Sequence, residues 1–75
     1  MDKQFFLPVG RIVYVFTTDG KTITAFLEGM INFGGVPALY LSDSEDDEII
    51  EWVIPIPHVQ SLRVRKPNHT LIKKI

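Results

Sequence analysis

The run from Lys21 to Ile31, with Gly29 near its end, limits the fold more than any other feature of this chain. Eleven residues of strand span about 36 Å, too long for one flat wall of a 75-residue domain. The chain must therefore curl around itself, which points to a small closed barrel. Within the run, Ile23, Ala25 and Leu27 alternate with Thr22, Thr24, Phe26 and Glu28. That is the period of two of a strand with one buried face, broken only by Phe26. A glycine inside a strand marks a bulge or sharp bend, so Gly29 lets one strand serve two walls.

The flanking sequence supports this reading. Arg11 to Thr18 (RIVYVFTT) is rich in β-branched and aromatic residues, and Asp19-Gly20 supplies a pair that tolerates the positive φ angles of a two-residue hairpin turn. Asn32-Phe33-Gly34-Gly35 forms a turn cluster before a third strand, Val36 to Leu41. Pro37 cannot donate to a ladder and belongs near a strand end or on an unpaired edge. Ser42 to Glu48 (SDSEDDE) has five carboxylates and no apolar residue, which predicts a solvated loop. A fourth strand, Ile49 to Ile54, places Ile50, Trp52 and Ile54 on one face and Ile49, Glu51 and Val53 on the other, apolar on nearly both. Pro55 and Pro57 stop it, a single tight turn through Ile56 and His58 follows, and Val59 to Arg65 resumes a strand pattern. At the start of the chain, Asp2 can cap a short helical turn over Lys3 to Leu7, ended by Pro8 and Gly10. Its Phe5, Phe6 and Leu7 would cover one mouth of the barrel. The tail from Pro67 to Ile75 is either an added strand, docked through Leu71, Ile72 and Ile75, or a basic arm carrying Lys73 and Lys74.

All 75 residues are read as one domain, and a chain of this size buries only about 60% of its unfolded surface. With no cysteine for a disulfide or thiolate ligand, self-association is the remaining common way to add buried surface. No apolar stretch approaches the roughly 20 residues of a membrane span, and Met1-Asp2-Lys3-Gln4 is unlike a signal peptide. The expectation is a soluble, cytoplasmic protein. Net charge is −1, but the charges are sorted. Six of nine carboxylates lie between positions 43 and 51, and five of eight basic residues (Arg63, Arg65, Lys66, Lys73 and Lys74) lie in the last thirteen. Both clusters read as solvated surface, or the basic end as a contact for phosphate or for the acidic segment of a neighbouring copy.

The order of elements resembles the Sm and Sm-like family, including its bacterial host-factor branch. The likeness covers about residues 3 to 65. It rests on Gly20 in the first hairpin, Ala25-Phe26-Leu27-Glu28-Gly29 in the bent strand, Leu39-Tyr40-Leu41 followed by Asp43, and Val59 with Leu62 in the last strand. The resemblance implies an all-β fold, a five-stranded, strongly bent barrel of the SH3 type with a short N-terminal helix. It further implies a homo-oligomeric ring of about five to seven subunits, closed by strand four of one copy pairing with strand five of the next. Such a ring would bind single-stranded RNA or DNA around its pore. The family's base-reading loop maps onto Met30 to Gly35, where Phe33 supplies a stacking surface and Asn32 an amide, and the family's aspartate is missing. The family's second motif maps onto Pro55 to His58 and leaves His58 as its polar group.

Each of these residues also has a plainer reading. Phe33 can plug a barrel end, Asn32 can form a turn, and His58 can be a surface imidazole. The basic residues Arg63, Arg65, Lys66, Lys73 and Lys74 would contact phosphate without regard to sequence, through a salt-sensitive term. Asp43, Glu45 and Asp47 lack the central glycine and the closing glutamate of a calcium loop, so no metal or other cofactor is expected. With no phosphate cradle, cysteine nucleophile or His-x-x-x-His pair, nothing supports an enzyme. Three functions remain: a nucleic-acid-binding ring acting in RNA or DNA processing or regulation, a protein-interaction module using Tyr14, Phe26, Tyr40 or Trp52, and a purely structural oligomer.

Overall fold

The computed structural model describes residues 7–66. The expected helical turn over Lys3 to Leu7 lies outside the described residues except for Leu7, and the tail 67–75 lies outside them entirely. The described chain is all-β. Five strands, β1 (Ile12–Thr17), β2 (Thr22–Phe33), β3 (Val36–Glu45), β4 (Glu48–Pro55) and β5 (Val59–Val64), form one antiparallel sheet. A single 3₁₀ turn, η1 (Ile56–His58), links β4 to β5, in the place where Pro55 and Pro57 predict a tight turn.

The sheet order β4-β3-β2-β1-β5 leaves the last two strands of the chain at opposite edges. Both edges nevertheless pack on one core. Val13 and Val15 of β1, Ala25 and Leu27 of β2, Leu39 and Leu41 of β3 and Ile54 of β4 are buried together, with Trp52, Val59, Leu62 and Val64 against them. A sheet whose two ends share one core must be rolled. Burying a leucine such as Leu27 or Leu41 contributes about 1.5–3 kcal/mol, and these side chains are fully enclosed.

The bend sits where glycine predicts it. The register slips between Leu27 and Gly29, leaving Glu28 unpaired opposite the step from Leu41 to Tyr40. Gly29 has φ +155°, a conformation that side-chain-bearing residues rarely adopt. Past the bulge β2 runs on to Phe33, so only Gly34 and Gly35 of the expected turn cluster leave the ladder. Their φ angles of +60° and +84° are those of a two-residue turn that follows the sheet's twist. Pro37 is the second residue of β3, ahead of the first rung with β4 at Ala38 and Pro55, so its missing N–H interrupts no bond to β4.

Two hairpins differ from the sequence expectation. The first is not closed by a two-residue turn on Asp19-Gly20. The Gly20 N–H donates to Thr17 O at 3.0 Å and the Thr17 N–H to Lys21 O at 2.9 Å, which makes a three-residue loop with only Gly20 at positive φ. The Thr17 hydroxyl donates to the Asp19 carboxylate, and this bond holds the Asp19 pKa below its ordinary value, assisted by the charge of Lys21. The second difference is larger. Ser42 to Glu48 is not a loop: Ser42 pairs with Glu51, Asp43 with Ile50, Ser44 with Ile49 and Glu45 with Glu48, and only Asp46 and Asp47 turn. Charge alone does not melt a ladder whose two faces both stand in water, because the carboxylates keep their solvation while the backbone bonds pair.

Candidate nucleic-acid interface

The β2–β3 hairpin tip carries two of the residues expected to read a base. Asn32 pairs with Pro37 and Phe33 with Val36, the last rung before the turn. The Asn32 Oδ1 accepts from the Gly35 N–H at 2.8 Å, so half of the Asn32 amide is spent on closing the turn and its NH₂ remains on an exposed residue. Phe33 is 56% exposed. It stands at the tip with exposed Ile31 two residues behind it on the same face.

His58 stands on the turn between β4 and β5. Pro55 lies on the rung with Ala38 and Ile31, one step from Asn32, and η1 leaves the sheet there. The Val59 N–H donates back to Ile56 O, and the Thr18 N–H donates to His58 O at 2.9 Å, tying the turn to the first hairpin. From strand spacings and the rise of a 3₁₀ turn, His58 lies on the order of 15 Å from Asn32, with its imidazole on an exposed residue.

The basic residues join neither turn. Arg63 sits beside Tyr14 on the non-core face of β5, its guanidinium 5.8 Å from the centroid of the Phe16 ring, a cation–π distance. Arg65 donates its backbone N–H to Ile12 O at 2.8 Å, and Lys66 follows it. The six residues of β5 put roughly 20 Å between these last two cations and His58. Asn32 and Phe33 thus stand together at the β2–β3 tip, His58 stands on the separate β4–β5 turn, and Arg63 lies on the outer face of β5 with Arg65 and Lys66 following it. Lys73 and Lys74 lie outside the described residues.

Side-chain facing sorts the aromatics that a protein-interaction module would use. Trp52 points inward and packs on the core, whereas Phe26 is 39% exposed and Tyr14, Phe16 and Tyr40 alternate with core residues on the outer face. The Tyr40 hydroxyl donates to Glu51, two residues along the neighbouring strand from its own rung partner Val53. That bond, with burial and the negative charges of Glu51 and Glu28 behind it, pushes the Tyr40 pKa up. The Ser42 hydroxyl donates to Glu28 Oε2 at 2.5 Å. Sequence reasoning missed Glu28, Ser42 and Glu51 as neighbours, because only the bulge at Glu28 and the register of β3 on β4 bring them together. No signal in the linear sequence encodes that register.

No helix among the described residues is long and apolar enough to cross a membrane, and among the same residues no cluster of three or more His, Asp or Glu forms a metal-binding group. Compared with protein-family models, with curated proteins and with solved structures, the chain matches none.

Proposed function

We propose that this protein is an Sm-like barrel that closes into a homo-oligomeric ring through its β4 and β5 edges and binds single-stranded nucleic acid, RNA first, at the end that holds Phe33. The observation that carries the reading is the sheet order: a rolled five-stranded sheet whose two edge strands, β4 and β5, are left unpaired among the described residues and belong to one core. Exposed edges invite pairing with another chain, and a head-to-tail edge contact repeated by rotation closes a ring. The outer side of β4 adds exposed Ile49 and Val53 to such a contact. At the tip, Phe33 offers a ring face for stacking and Asn32 a free NH₂, the His58 imidazole stands apart on the β4–β5 turn as a second polar contact, and Arg63, Arg65 and Lys66 supply phosphate contacts along the outer face. Lys73 and Lys74 extend that set on sequence grounds alone. The role is one in RNA or DNA processing or regulation in the cytoplasm.

Native mass spectrometry with and without uridine-rich and adenine-rich oligonucleotides, at low and moderate salt, tests the reading. The expected result is a closed oligomer that gains about one oligonucleotide per ring, with binding that weakens as salt rises. Phe33→Ala should remove ~1–3 kcal/mol of affinity per stacked base while leaving the ring intact. A ring that takes up no oligonucleotide leaves a structural oligomer. A monomer moves the reading to an SH3-type interaction module, which the outward-facing Tyr14 and Phe26 favour.

A further inference from the structure

The outer face of the sheet holds a recess distinct from the Phe33 tip. One row of residues runs from Arg65, just past β5, across the other four strands: Arg65 beside Ile12, Ile12 opposite Phe26, Phe26 opposite Ser42, and Ser42 opposite Glu51. Ladder partners share a face, and this one carries an open groove of about 610 Å³. Its apolar surface comes from Ile12, Phe26 and Ile49, the last 74% exposed. Its far side is acidic, with Glu28 and Glu51. The hydroxyls of Ser42 and Tyr40 hold Glu28 and Glu51 in place, and among the described residues no cation forms an ion pair with either carboxylate.

The chain itself carries matching chemistry at the right place. The described residues end at Lys66, one position past Arg65 on the near wall. A second recess of about 430 Å³, lined by Lys66, adjoins the first, with Ile12, Phe26 and Arg65 lining both. Nine residues follow, Pro67 to Ile75 (PNHTLIKKI), with Leu71, Ile72 and Ile75 aliphatic and Lys73 and Lys74 basic. Extended, they reach about 30 Å, against roughly 19 Å for the four strand spacings from β5 to β4.

We propose that Pro67–Ile75 lies in this groove of its own chain, its aliphatic side chains on Ile12, Phe26 and Ile49 and its two lysines against Glu28 and Glu51. The inference needs neither the ring nor a nucleic acid. It does remove Lys73 and Lys74 from the phosphate contacts, since their charges are already met, and it takes Ile49 out of the edge contact, which then rests on Val53.

Amide hydrogen exchange read by mass spectrometry on the full chain tests it. Amides of Leu71 to Ile75 should exchange at least tenfold more slowly in the wild-type chain than in a Lys73→Glu, Lys74→Glu variant, to the same extent at low and high protein concentration. Glu28→Lys with Glu51→Lys should also remove the protection, and combining all four substitutions should restore it, with protection of Leu41 reporting that the sheet is intact. Because Glu28 and Glu51 accept bonds within the sheet, Ile49→Ser provides an independent check on an exposed side chain and should cut the protection as well. Tail amides exchanging at the unstructured rate would overturn the proposal. So would a failure of the four-fold exchange of charge to restore protection, and so would protection that grows with concentration, which would assign the groove to a second copy.

Discussion

Replacing Gly29 with alanine isolates the backbone contribution of the bend. A Cβ built at Gly29 meets no atom within 4 Å, so the substitution introduces no clash and its whole effect is conformational. At φ +155° a non-glycine residue carries strain of about 1–3 kcal/mol. Alanine also narrows the unfolded ensemble, which offsets about 0.4–1 kcal/mol of that. The difference leaves a net destabilisation of ~1–2 kcal/mol. Urea denaturation at fixed protein concentration reads it directly: with a slope near 1 kcal/mol/M for a chain this small, the midpoint should fall by about 1–2 M with the slope unchanged. A chemically synthesised chain carrying D-alanine at the same position supplies the decisive comparison. The D residue adopts positive φ freely, so it should match glycine or exceed it by about 0.4–1 kcal/mol. If L-alanine is as stable as glycine, or if both enantiomers destabilise equally, the bend is not held by the φ of Gly29 and the reasoning fails.

Two further outcomes follow from the hairpins. Asp46 and Asp47 turn with φ +51° and +67°, where Asn-Gly is the favoured pair, so Asp46→Asn with Asp47→Gly should stabilise the protein by about 1 kcal/mol, seen as a raised thermal midpoint. A lowered midpoint would mean that the two carboxylates have partners beyond the turn. Asp19 titrates below its ordinary value of 3.8 because the Thr17 hydroxyl donates to its charged form. Its contribution is therefore present above pH 3.8 and fades as pH falls through the lowered folded-state value. Melting curves of wild type and Asp19→Asn should differ at neutral pH and converge in acid; a constant gap between them would refute the linkage.

Much of the sheet was legible because its strands bury one face. Val13, Val15, Ala25 and Leu27 follow the period of two, and Ile50, Trp52 and Ile54 face the core while Ile49 and Val53 face out. Where neither face is buried that signal vanishes. Glu45 and Glu48 oppose each other at the end of a ladder, yet their composition reads as loop, because backbone pairing passed on from the buried rungs carries the strand into water. The same limit hid half of the candidate site. Phe33 could be picked out as an aromatic beside two glycines, but its place within the ladder rather than in the turn depends on the slipped register. The separation of Arg63, Arg65 and Lys66 from His58 follows from the length of β5, and no local pattern reports which end of a strand meets which hairpin. The joining of Glu28 to Ser42 depends on one unpaired residue.

That unpaired residue has a bearing on how this chain tolerates changes in length. Ahead of Glu28 the odd-numbered positions of β2 face the core, and beyond it the even-numbered Met30 shares its rung with core residues Leu39 and Ile54. The strand therefore switches phase once along its length. Losing Glu28 alone would put both halves in one phase and remove the fold in the wall, whereas losing one residue between Met30 and Phe33 would carry the aromatic ring to the opposite side of the hairpin. In this stretch lineages should gain or shed residues in pairs, and a single-codon deletion should be far harsher than a double one.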